Sequence, residues 1–436
     1  MRKITIIGAG STEFTTSLMA DLVVEGSEWE VRMVDILPEN LDVAYNLARR
    51  MVEKGGAPIT VGRYLDRTEA LPGSDVVVTT IAVGGRRAWE NDVFISRKYG
   101  IYQPVGDTIE SGGISRALRT IPVLVDIAND VVRLAPKAHF FNYANPMAMN
   151  CRALRKVTPS KVIGLCHGVP EVIRFLADFL EIPAKRCWCL AVGINHLTWF
   201  LKFEVDGKDA WPAIREKYAA LEKKGTPYGG TPNHPLSWEL FHAFGAFPAV
   251  IDRHVSEFFP QFHRTGEHYG KTLGVDRFSF EKTIEIGDTM FQSMADEAYG
   301  RAELPPDIFN RKIGEHEQLV EILNALNGDF EKEFSVIVPN EGQVTNIAGD
   351  FAIECPAMIS KRGVEPVHVG EVPTGVRATV EKALLTVELA VEAALERDKN
   401  KLLQALIVDG CVKSISDAKN MTDELLAAQK DFLPGW

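Results

Sequence analysis

The stretch KITIIGAGS, residues 3–11, decides the fold, because an apolar run ends directly in a glycine-containing turn. Gly8 and Gly10 permit a tight turn in which the start of the next helix faces a bound pyrophosphate. A second apolar run, VRMVD at residues 31–35, ends in Asp35. A carboxylate at the end of this second strand accepts hydrogen bonds from a ribose diol and repels a 2′-phosphate. The whole segment therefore predicts a dinucleotide-binding strand–turn–helix–strand unit that takes NAD rather than NADP.

The turn departs from the usual fingerprint at one position. Ser11 completes the turn and is a further candidate for cofactor contact, but Glu13 stands where a third glycine would fall. The close helix–strand packing that this glycine allows must therefore be arranged differently. An ordinary glycine turn followed by a strand-end aspartate is the alternative, and three signals in the correct order favour the nucleotide site.

Apolar runs alternate with helical segments through the first part of the chain. Further runs occur at residues 76–81, 139–142 and 162–165, and helical segments lie between them at residues 43–53 and 118–134. Buried strands separated by helices predict a parallel sheet that is covered on both faces. The predicted fold class is therefore α/β, with an N-terminal Rossmann-like, doubly wound parallel sheet.

The pattern changes after about residue 190 to longer polar and helical segments, including a helical run at residues 375–397. A glycine- and proline-rich stretch at residues 225–235 predicts a surface connection. We therefore predict two domains. Residues 1–190 would bind NAD, and residues 191–436 would form a mixed, mainly helical α+β domain for substrate, metal and oligomerisation.

Composition and charge exclude several classes of protein. The 436 residues are 46% hydrophobic and 25% charged, with a net charge of −11 and no clusters of Lys and Arg, so we expect no nucleic-acid or membrane partner. No apolar run approaches membrane-spanning length. Six cysteines are too few for a disulfide scaffold. We expect a cytoplasmic protein with a small-molecule ligand.

Four short polar motifs follow the nucleotide unit, each where a strand or helix should end. They are NYANP at residues 142–146, GLCHG at 164–168, GINH at 193–196 and DRH at 252–254. Cysteine and histidine bind divalent transition metals, and a site with two protein ligands leaves positions open for substrate oxygens. Taken singly, however, a buried thiol or a hydrogen-bonded core histidine explains each residue, and the spacing matches no zinc-finger pattern.

In combination, these motifs resemble family 4 of the glycoside hydrolases. GAGS, NP, CHG and GINH occur in that order, and VPNEG at residues 338–342 resembles the family's later Pro-Asn-x-Gly element, so the resemblance covers nearly the whole chain. Within the family the chain is most similar to bacterial α-galacturonidases. That similarity rests on the motifs at residues 99–103, 105–108, 112–114 and 252–258.

The resemblance implies a hydrolysis that uses NAD without net redox change. A hydride passes from C3 of the sugar to NAD, and a base then removes the acidified proton at C2. The C1–O bond breaks by elimination, water adds, and the hydride returns to C3. A metal ion, Mn²⁺ or a similar one, stabilises the negative charge that develops on the sugar oxygens.

The resemblance also assigns roles to single residues. Cys166 and His196 are the expected metal ligands, and Asn145 is expected to bind substrate beside the nicotinamide and to contact the cofactor as well. Asp252 matches the carboxylate that acts as C2 base in members without a tyrosine base. Asp107 stands where a glutamate is common, and its expected place is near the metal or the leaving group. Family members are homo-oligomers, so we expect a dimer or tetramer.

The sugar is indicated by the residue after Cys166. His167, a candidate for substrate binding, replaces the asparagine that is typical of members acting on 6-phosphorylated sugars, so an unphosphorylated substrate is expected. A galacturonide needs a cation for its carboxylate. The candidates for that cation are Arg253, His254, Arg116 and Arg119.

An α-galacturonide is thus the first expectation for the substrate. Gly168 also occurs in α-glucosidase members, so α-glucuronidase, α-glucosidase and α-galactosidase activities stay open. A malate-type NAD-dependent dehydrogenase is the alternative from another class, because it would share the nucleotide unit.

Overall fold

A computed structural model describes residues 1–12, 14–225, 234–262, 279–309 and 318–436. Glu13 and most of the glycine- and proline-rich stretch lie outside the described residues. Strands from both parts of the chain join in one mixed sheet, and its order is β10-β8-β7-β12-β11-β6-β5-β4-β1-β2-β3, with β13 on β12 and β9 on β8. The described strands are β1 (Arg2–Ile7), β2 (Trp29–Val34), β3 (Ile59–Tyr64), β4 (Val76–Thr79), β5 (His139–Asn142), β6 (Ile163–Gly164), β7 (Cys187–Ile194), β8 (Leu197–Val205), β9 (Lys208–Asp209), β10 (Phe247–Ala249), β11 (Lys332–Pro339), β12 (Ala352–Ser360) and β13 (Gly363–Pro366).

The first six strands are parallel, in the order β3-β2-β1-β4-β5-β6. Their order is that of a doubly wound dinucleotide-binding sheet. The helices between and after these strands are α1 (Thr15–Glu25), α2 (Pro38–Gly55), α3 (Arg67–Ala70), α4 (Gly85–Lys98), α5 (Glu110–Leu134), α6 (Met147–Val157) and α7 (Gly168–Leu180). The predicted α/β fold class is confirmed.

Strand β3 was not predicted. It lies at the edge of the sheet beside β2, and only Ile59 of its six residues is buried. Because a half-exposed edge strand lacks a continuous apolar run, its sequence ITVGRY carries a weak signal. The five predicted strands all form, although β4 and β6 are shorter than their apolar runs.

The second part of the chain continues the same sheet with antiparallel strands. Strand β11 pairs with β6, and β12, β7, β8 and β10 follow in turn. The remaining described helices are α8 (Trp211–Lys223), α9 (Pro235–Phe244), α10 (Asp252–Val255), α11 (Phe280–Ala298), α12 (Leu319–Asn327), α13 (Thr374–Glu396), α14 (Lys399–Asp409) and α15 (Ile415–Ala428). Short 3₁₀ turns occupy Ala184–Arg186, Ser256–Phe258, Pro260–Phe262 and Lys430–Phe432. In the described part of the chain, no helix has both the length and the apolarity that crossing a membrane requires.

One row of paired residues joins the two parts of the sheet. Gly164 of β6 pairs with Ile337 of β11, Ile337 pairs with Glu354 of β12, and Glu354 pairs with Gly193 of β7. Two of the polar motifs, CHG and GINH, begin within two residues of this row. The sheet therefore brings the segment after β6 and the turn after β7 into one region.

Candidate active site

The glycine turn after β1 has the tight conformation that a nucleotide-binding turn requires. Gly8 has a φ of +93°, and a Cβ there would lie 2.9 Å from the backbone nitrogen of Ile81. The amides of Gly8 and Ala9 both donate to the carbonyl of Val34, which ties the turn to the end of β2. Only glycine fits this position, because any side chain would meet the backbone after β4.

Asp35 closes the same turn from the next strand. Its Oδ2 accepts a hydrogen bond from the amide of Gly10 at 2.9 Å, and its Oδ1 accepts one from the amide of Leu37 at 2.9 Å. Ser11 follows, and its Oγ accepts a hydrogen bond from the amide of Phe14 just before α1. The predicted cofactor residues therefore lie together, and the role of Asp35 in selecting NAD stays a prediction.

Asp107, His196 and His254 meet in one place, although distant parts of the chain supply them. One ligand atom from each lies within 4.8 Å of the other two. The centroids of the two imidazole rings are 4.1 Å apart, and His254 Nδ1 lies 4.0 Å from Asp107 Oδ1. Two imidazoles and a carboxylate suit a divalent transition metal, and we call these three residues the candidate metal group.

His196 lies in the two-residue turn between β7 and β8, with a φ of +70°. A left-handed backbone at a residue other than glycine costs about 1–3 kcal/mol and is often found at functional sites. The turn is also close-packed, since a Cβ at Gly193 would lie 2.3 Å from the carbonyl oxygen of Leu197. The hairpin therefore holds His196 in a fixed, strained position.

Thr108 fixes the tautomer of His196. Its hydroxyl donates to Asp107 Oδ1 at 2.7 Å and lies 2.6 Å from His196 Nδ1. A hydroxyl has one proton and a carboxylate can only accept, so Nδ1–H of His196 donates to Thr108. The lone pair of His196 is therefore on Nε2, which leaves that nitrogen free to bind a metal.

The electrostatics of the candidate metal group also favour metal binding. Burial lowers the pKa of His196 to about 4 and the pKa of His254 well below its ordinary value. Burial alone would raise the pKa of Asp107, but His254, His196 and Arg116 together lower it. At neutral pH the group therefore contains two neutral imidazoles and one carboxylate, which are the protonation states that bind a metal ion.

Asn145 lies beside this group, as the resemblance predicted. Its Nδ2 donates to Asp107 Oδ2 at 3.0 Å. Its Oδ1 is buried and has no hydrogen-bond partner among the described residues, and the same is true of Nδ1 of His254. Buried polar atoms without a partner cost free energy, so both atoms fit a site that receives a ligand.

Glu257 holds the Asp107 loop against the segment that carries His254. Its Oε1 accepts hydrogen bonds from the amides of Val105 and Gly106, at 2.8 and 2.7 Å. Burial raises the pKa of Glu257 well above its ordinary value. We had no role for Glu257 or Thr108 from the sequence, although both lie in motifs that carried the resemblance.

The candidate metal group differs from the predicted pair of ligands. His196 belongs to both sets, but Cys166 is not a member of the group, and its Sγ accepts a hydrogen bond from the amide of Gly168 at 3.4 Å. His167, the next residue, lies close enough to lower the pKa of both His196 and His254. The segment after β6 therefore reaches the site, and metal binding by Cys166 stays a prediction.

Asp252 has a structural partner that the sequence did not indicate. Its Oδ2 accepts from the amide of Leu236 at 2.9 Å, and its Oδ1 accepts from the amide and the hydroxyl of Ser237, at 2.8 and 2.6 Å. Asp252 therefore holds the start of α9, and burial raises its pKa to about 6. Its role as C2 base stays a prediction.

The four candidate cations for a carboxylate have different surroundings. Arg119 is buried and makes two hydrogen bonds to Asp92, at 2.9 and 2.6 Å. Arg253 donates to the hydroxyl of Thr283 at 2.5 Å, and His254 is in the candidate metal group. Arg116 lies next to Asn145 and donates from Nε to its backbone oxygen at 3.1 Å.

Glu354 is a buried acid beneath the His196 turn, in the row that links the two parts of the sheet. Ser335 Oγ donates to its Oε1 at 3.1 Å, and burial raises the pKa of Glu354 from 4.5 to about 7. Its proton is therefore held more tightly in the folded state. Glu354 therefore makes its whole contribution to the free energy of unfolding below pH 4.5, and this contribution is lost as the pH rises to 7.

We expect Glu354→Gln to remove that pH dependence. The variant should gain up to about 3 kcal/mol relative to the wild type between pH 5 and pH 8, because glutamine keeps an acceptor for Ser335 and carries no charge. Urea unfolding of both proteins at four pH values measures the difference. If the free energy of unfolding changes with pH by the same amount in both proteins, Glu354 does not titrate in this range.

Two family models match the chain. A model described as "Family 4 glycosyl hydrolase" matches residues 3–182, and one described as "Family 4 glycosyl hydrolase C-terminal domain" matches residues 191–412. This chain belongs to family 4 of the glycosyl hydrolases. The family resemblance predicted from the motifs is therefore confirmed, and the malate-type dehydrogenase alternative is set aside.

Relatives match this family 4 glycosyl hydrolase along nearly its full length. An α-galactosidase of Bacillus subtilis (strain 168) is 31% identical over 100% of this chain and 99% of its own. An α-galacturonidase of the same organism is 30% identical over 97% of this chain and 96% of its own. The family 4 chain is thus a glycosidase, and these names leave its sugar undecided.

Solved structures agree with the fold. The crystal structure of lplD from Bacillus subtilis is 30% identical, with a TM-score of 0.86, and the match covers 98% of this chain and 100% of the other. A 6-phospho-α-glucosidase from gut microorganisms, solved with NAD and Mn²⁺, is 18% identical with a TM-score of 0.83, over 99% of both chains. At 18% identity, the second match supports only the fold of this family 4 enzyme.

Proposed function

We propose that this protein hydrolyses an unphosphorylated α-glycoside, and that its substrate is an α-galacturonide. The observation that carries the proposal is the candidate metal group beside Asn145, in a chain that matches an α-galacturonidase along nearly its whole length. An α-galactoside is the second candidate, since an α-galactosidase is a similarly close relative. α-Glucuronides and α-glucosides complete the set to be tested.

The residues present fit the two cofactors. We propose that the turn at Gly8, Gly10 and Ser11, with Asp35, holds NAD, and that His196 binds Mn²⁺ with ligands drawn from Cys166, Asp107 and His254. When bound, these groups would supply reversible oxidation at C3 and a Lewis acid for the sugar oxygens. The donor set supports this, because imidazole and carboxylate are common ligands of divalent transition metals.

The chain itself would bind the sugar and move a proton. We propose that Asn145 Oδ1, a buried acceptor without a partner among the described residues, accepts a hydrogen bond from a sugar hydroxyl. His167 lies near both histidines of the candidate metal group and would contact the sugar from the side of α7. Asp252 would take the proton from C2 before the C1–O bond breaks, and this is the role that family resemblance implies.

We expect the purified protein, freed of metal and nucleotide, to cleave p-nitrophenyl α-D-galacturonide only when NAD and Mn²⁺ are both added back. The absorbance of p-nitrophenol measures the rate, with galactoside, glucuronide and glucoside as parallel substrates. No NADH should accumulate, because the hydride returns to the sugar. In D₂O the released sugar should carry deuterium at C2.

Two results would contradict the proposal. Stoichiometric NADH without release of p-nitrophenol would mean simple dehydrogenation. Cleavage at full rate without NAD would mean an ordinary two-carboxylate hydrolysis. Cleavage of the neutral galactoside alone would keep the glycosidase and replace the substrate.

We also propose that the enzyme works in a reducing cytoplasm as a homo-oligomer with two domains that divide near residue 190. None of its six cysteines forms a disulfide, which suits that compartment. Light scattering on the purified protein measures the number of subunits.

A further inference from the structure

Arg116 is a cation at the candidate active site that forms no ion pair with a carboxylate of the described residues. Among the described residues, no Asp or Glu oxygen lies within 4.0 Å of its guanidinium nitrogens. Within those residues, its side chain makes one hydrogen bond, from Nε to the backbone oxygen of Asn145. Asp107 is near enough to act on its charge but makes no direct contact with it. Within the described residues, Nη1 and Nη2 therefore have no hydrogen-bond partner and could donate to a ligand.

The guanidinium is also held in one orientation. Its central carbon lies 5.4 Å from the centroid of the Trp89 ring, in the range of a cation–π contact. The Trp89 indole is itself fixed, because Nε1 donates to the backbone oxygen of Val105 at 2.7 Å. Nε of Arg116 donates to Asn145, and one side of the guanidinium lies near Trp89. Because the group is already held in place, it loses little conformational freedom when its two terminal nitrogens bind a partner.

The other candidate cations have different partners. Arg119 uses both terminal nitrogens on Asp92 and its Nε on the backbone oxygen of Val83. Arg253 donates to Thr283, outside the candidate metal group. His254 belongs to the candidate metal group, where its ring would bind the metal ion. Of the four candidates, Arg116 is therefore the one that lies beside Asn145, keeps a positive charge and has terminal nitrogens without a partner among the described residues.

We infer that Arg116 binds the carboxylate of a uronic acid substrate through Nη1 and Nη2. Two parallel N–H donors match the geometry of a carboxylate, and a neutral sugar offers no group that uses both as well. The inference rests on the proposed function, and it assigns the galacturonide specificity to one side chain. The candidate metal group would then face the C2 and C3 hydroxyls, and Arg116 the carboxylate at the opposite side of the ring.

The test compares Arg116→Gln with Arg133→Gln, a control on the same helix whose side chain is 60% exposed and pairs with Asp130. We expect Arg116→Gln to raise KM for p-nitrophenyl α-D-galacturonide about 10- to 100-fold more than it raises KM for the α-D-galactoside, because only the galacturonide loses a carboxylate partner. Arg116→Lys should restore part of the loss. Calorimetric titration of the protein with NAD and Mn²⁺, using free galacturonate and galactose, gives the same comparison without catalysis.

Each outcome decides the inference. An equal loss on both substrates, or no loss on either, overturns the role of Arg116 and leaves the proposed function standing if the wild type cleaves the galacturonide. If the wild type cleaves no galacturonide, the proposed substrate fails. The titration then decides for Arg116, since a selective loss of galacturonate binding in Arg116→Gln supports carboxylate recognition and equal binding of both sugars overturns it.

Discussion

Replacing His196 with alanine is expected to lower kcat/KM by on the order of 10³-fold and to abolish saturable Mn²⁺ binding. The reason is that His196, with its lone pair on Nε2, is one of the three residues of the candidate metal group, and alanine leaves only Asp107 and His254 of that group. Mn²⁺ binding followed by electron paramagnetic resonance and activity against the preferred aryl glycoside measure the two effects. Alanine in place of His368, an exposed histidine far along the chain, is the matched control.

A second variant guards against misfolding of the first. Thr108→Val keeps the shape of the side chain but removes the acceptor for Nδ1–H of His196, so metal affinity should fall about 10- to 100-fold. Wild-type Mn²⁺ affinity in both variants would contradict the assignment of the metal site.

The same measurement separates the two sets of ligands. If Cys166 binds the metal, as family resemblance predicts, Cys166→Ser should weaken Mn²⁺ binding more than His254→Ala does. If the candidate metal group is complete as the structure places it, His254→Ala should have the larger effect.

Replacing Arg119 with methionine is expected to destabilise the fold by about 3–5 kcal/mol. The Arg119 side chain is 1% exposed and that of Asp92 is 0% exposed, so the substitution leaves a buried carboxylate without its cation. Ser115 and Gln429 also donate to Asp92, and they are too few to replace a charge. The urea midpoint of unfolding, or the yield of folded protein, measures the loss.

Two further variants identify the cause. Asp92→Leu combined with Arg119→Met should recover most of the lost stability, because a buried ion pair and an apolar pair of similar volume differ little. Arg133→Met, on the exposed end of the same helix, should leave the midpoint nearly unchanged. A stable Arg119→Met protein would mean that Asp92 is not held as a buried ion in the fold.

The α/β fold was predictable because its main signals are local. Apolar runs that are buried on both faces, as in β1, β2 and β4, differ from their flanking helices within a few residues. β3 was missed for the opposite reason, since an exposed edge strand is mostly polar. The antiparallel strands of the second part of the chain were also missed, because their places in the sheet depend on residues far apart in the sequence.

Residues of the candidate site were predictable only where they belong to a motif that resembles the family and contains a side chain able to bind metal or substrate. His196, Asn145 and Asp107 lie together, as the family resemblance implied. That His254 joins them, and that Asp252 holds the start of α9, depends on how the loop after β10 packs, and no local pattern encodes this. Thr108 and Glu257 act through hydrogen bonds to neighbours of the site, so their residue types alone gave no indication of a role.

The shared sheet has a consequence for how the chain is made. β6 is completed early in synthesis, but β11, the strand that covers its open edge, is made only after more than another third of the chain has been added. During that interval the short strand β6 has no partner on its outer side, and an unpaired sheet edge can pair with other chains. We therefore expect a nascent or truncated chain that stops near residue 190 to aggregate through this edge.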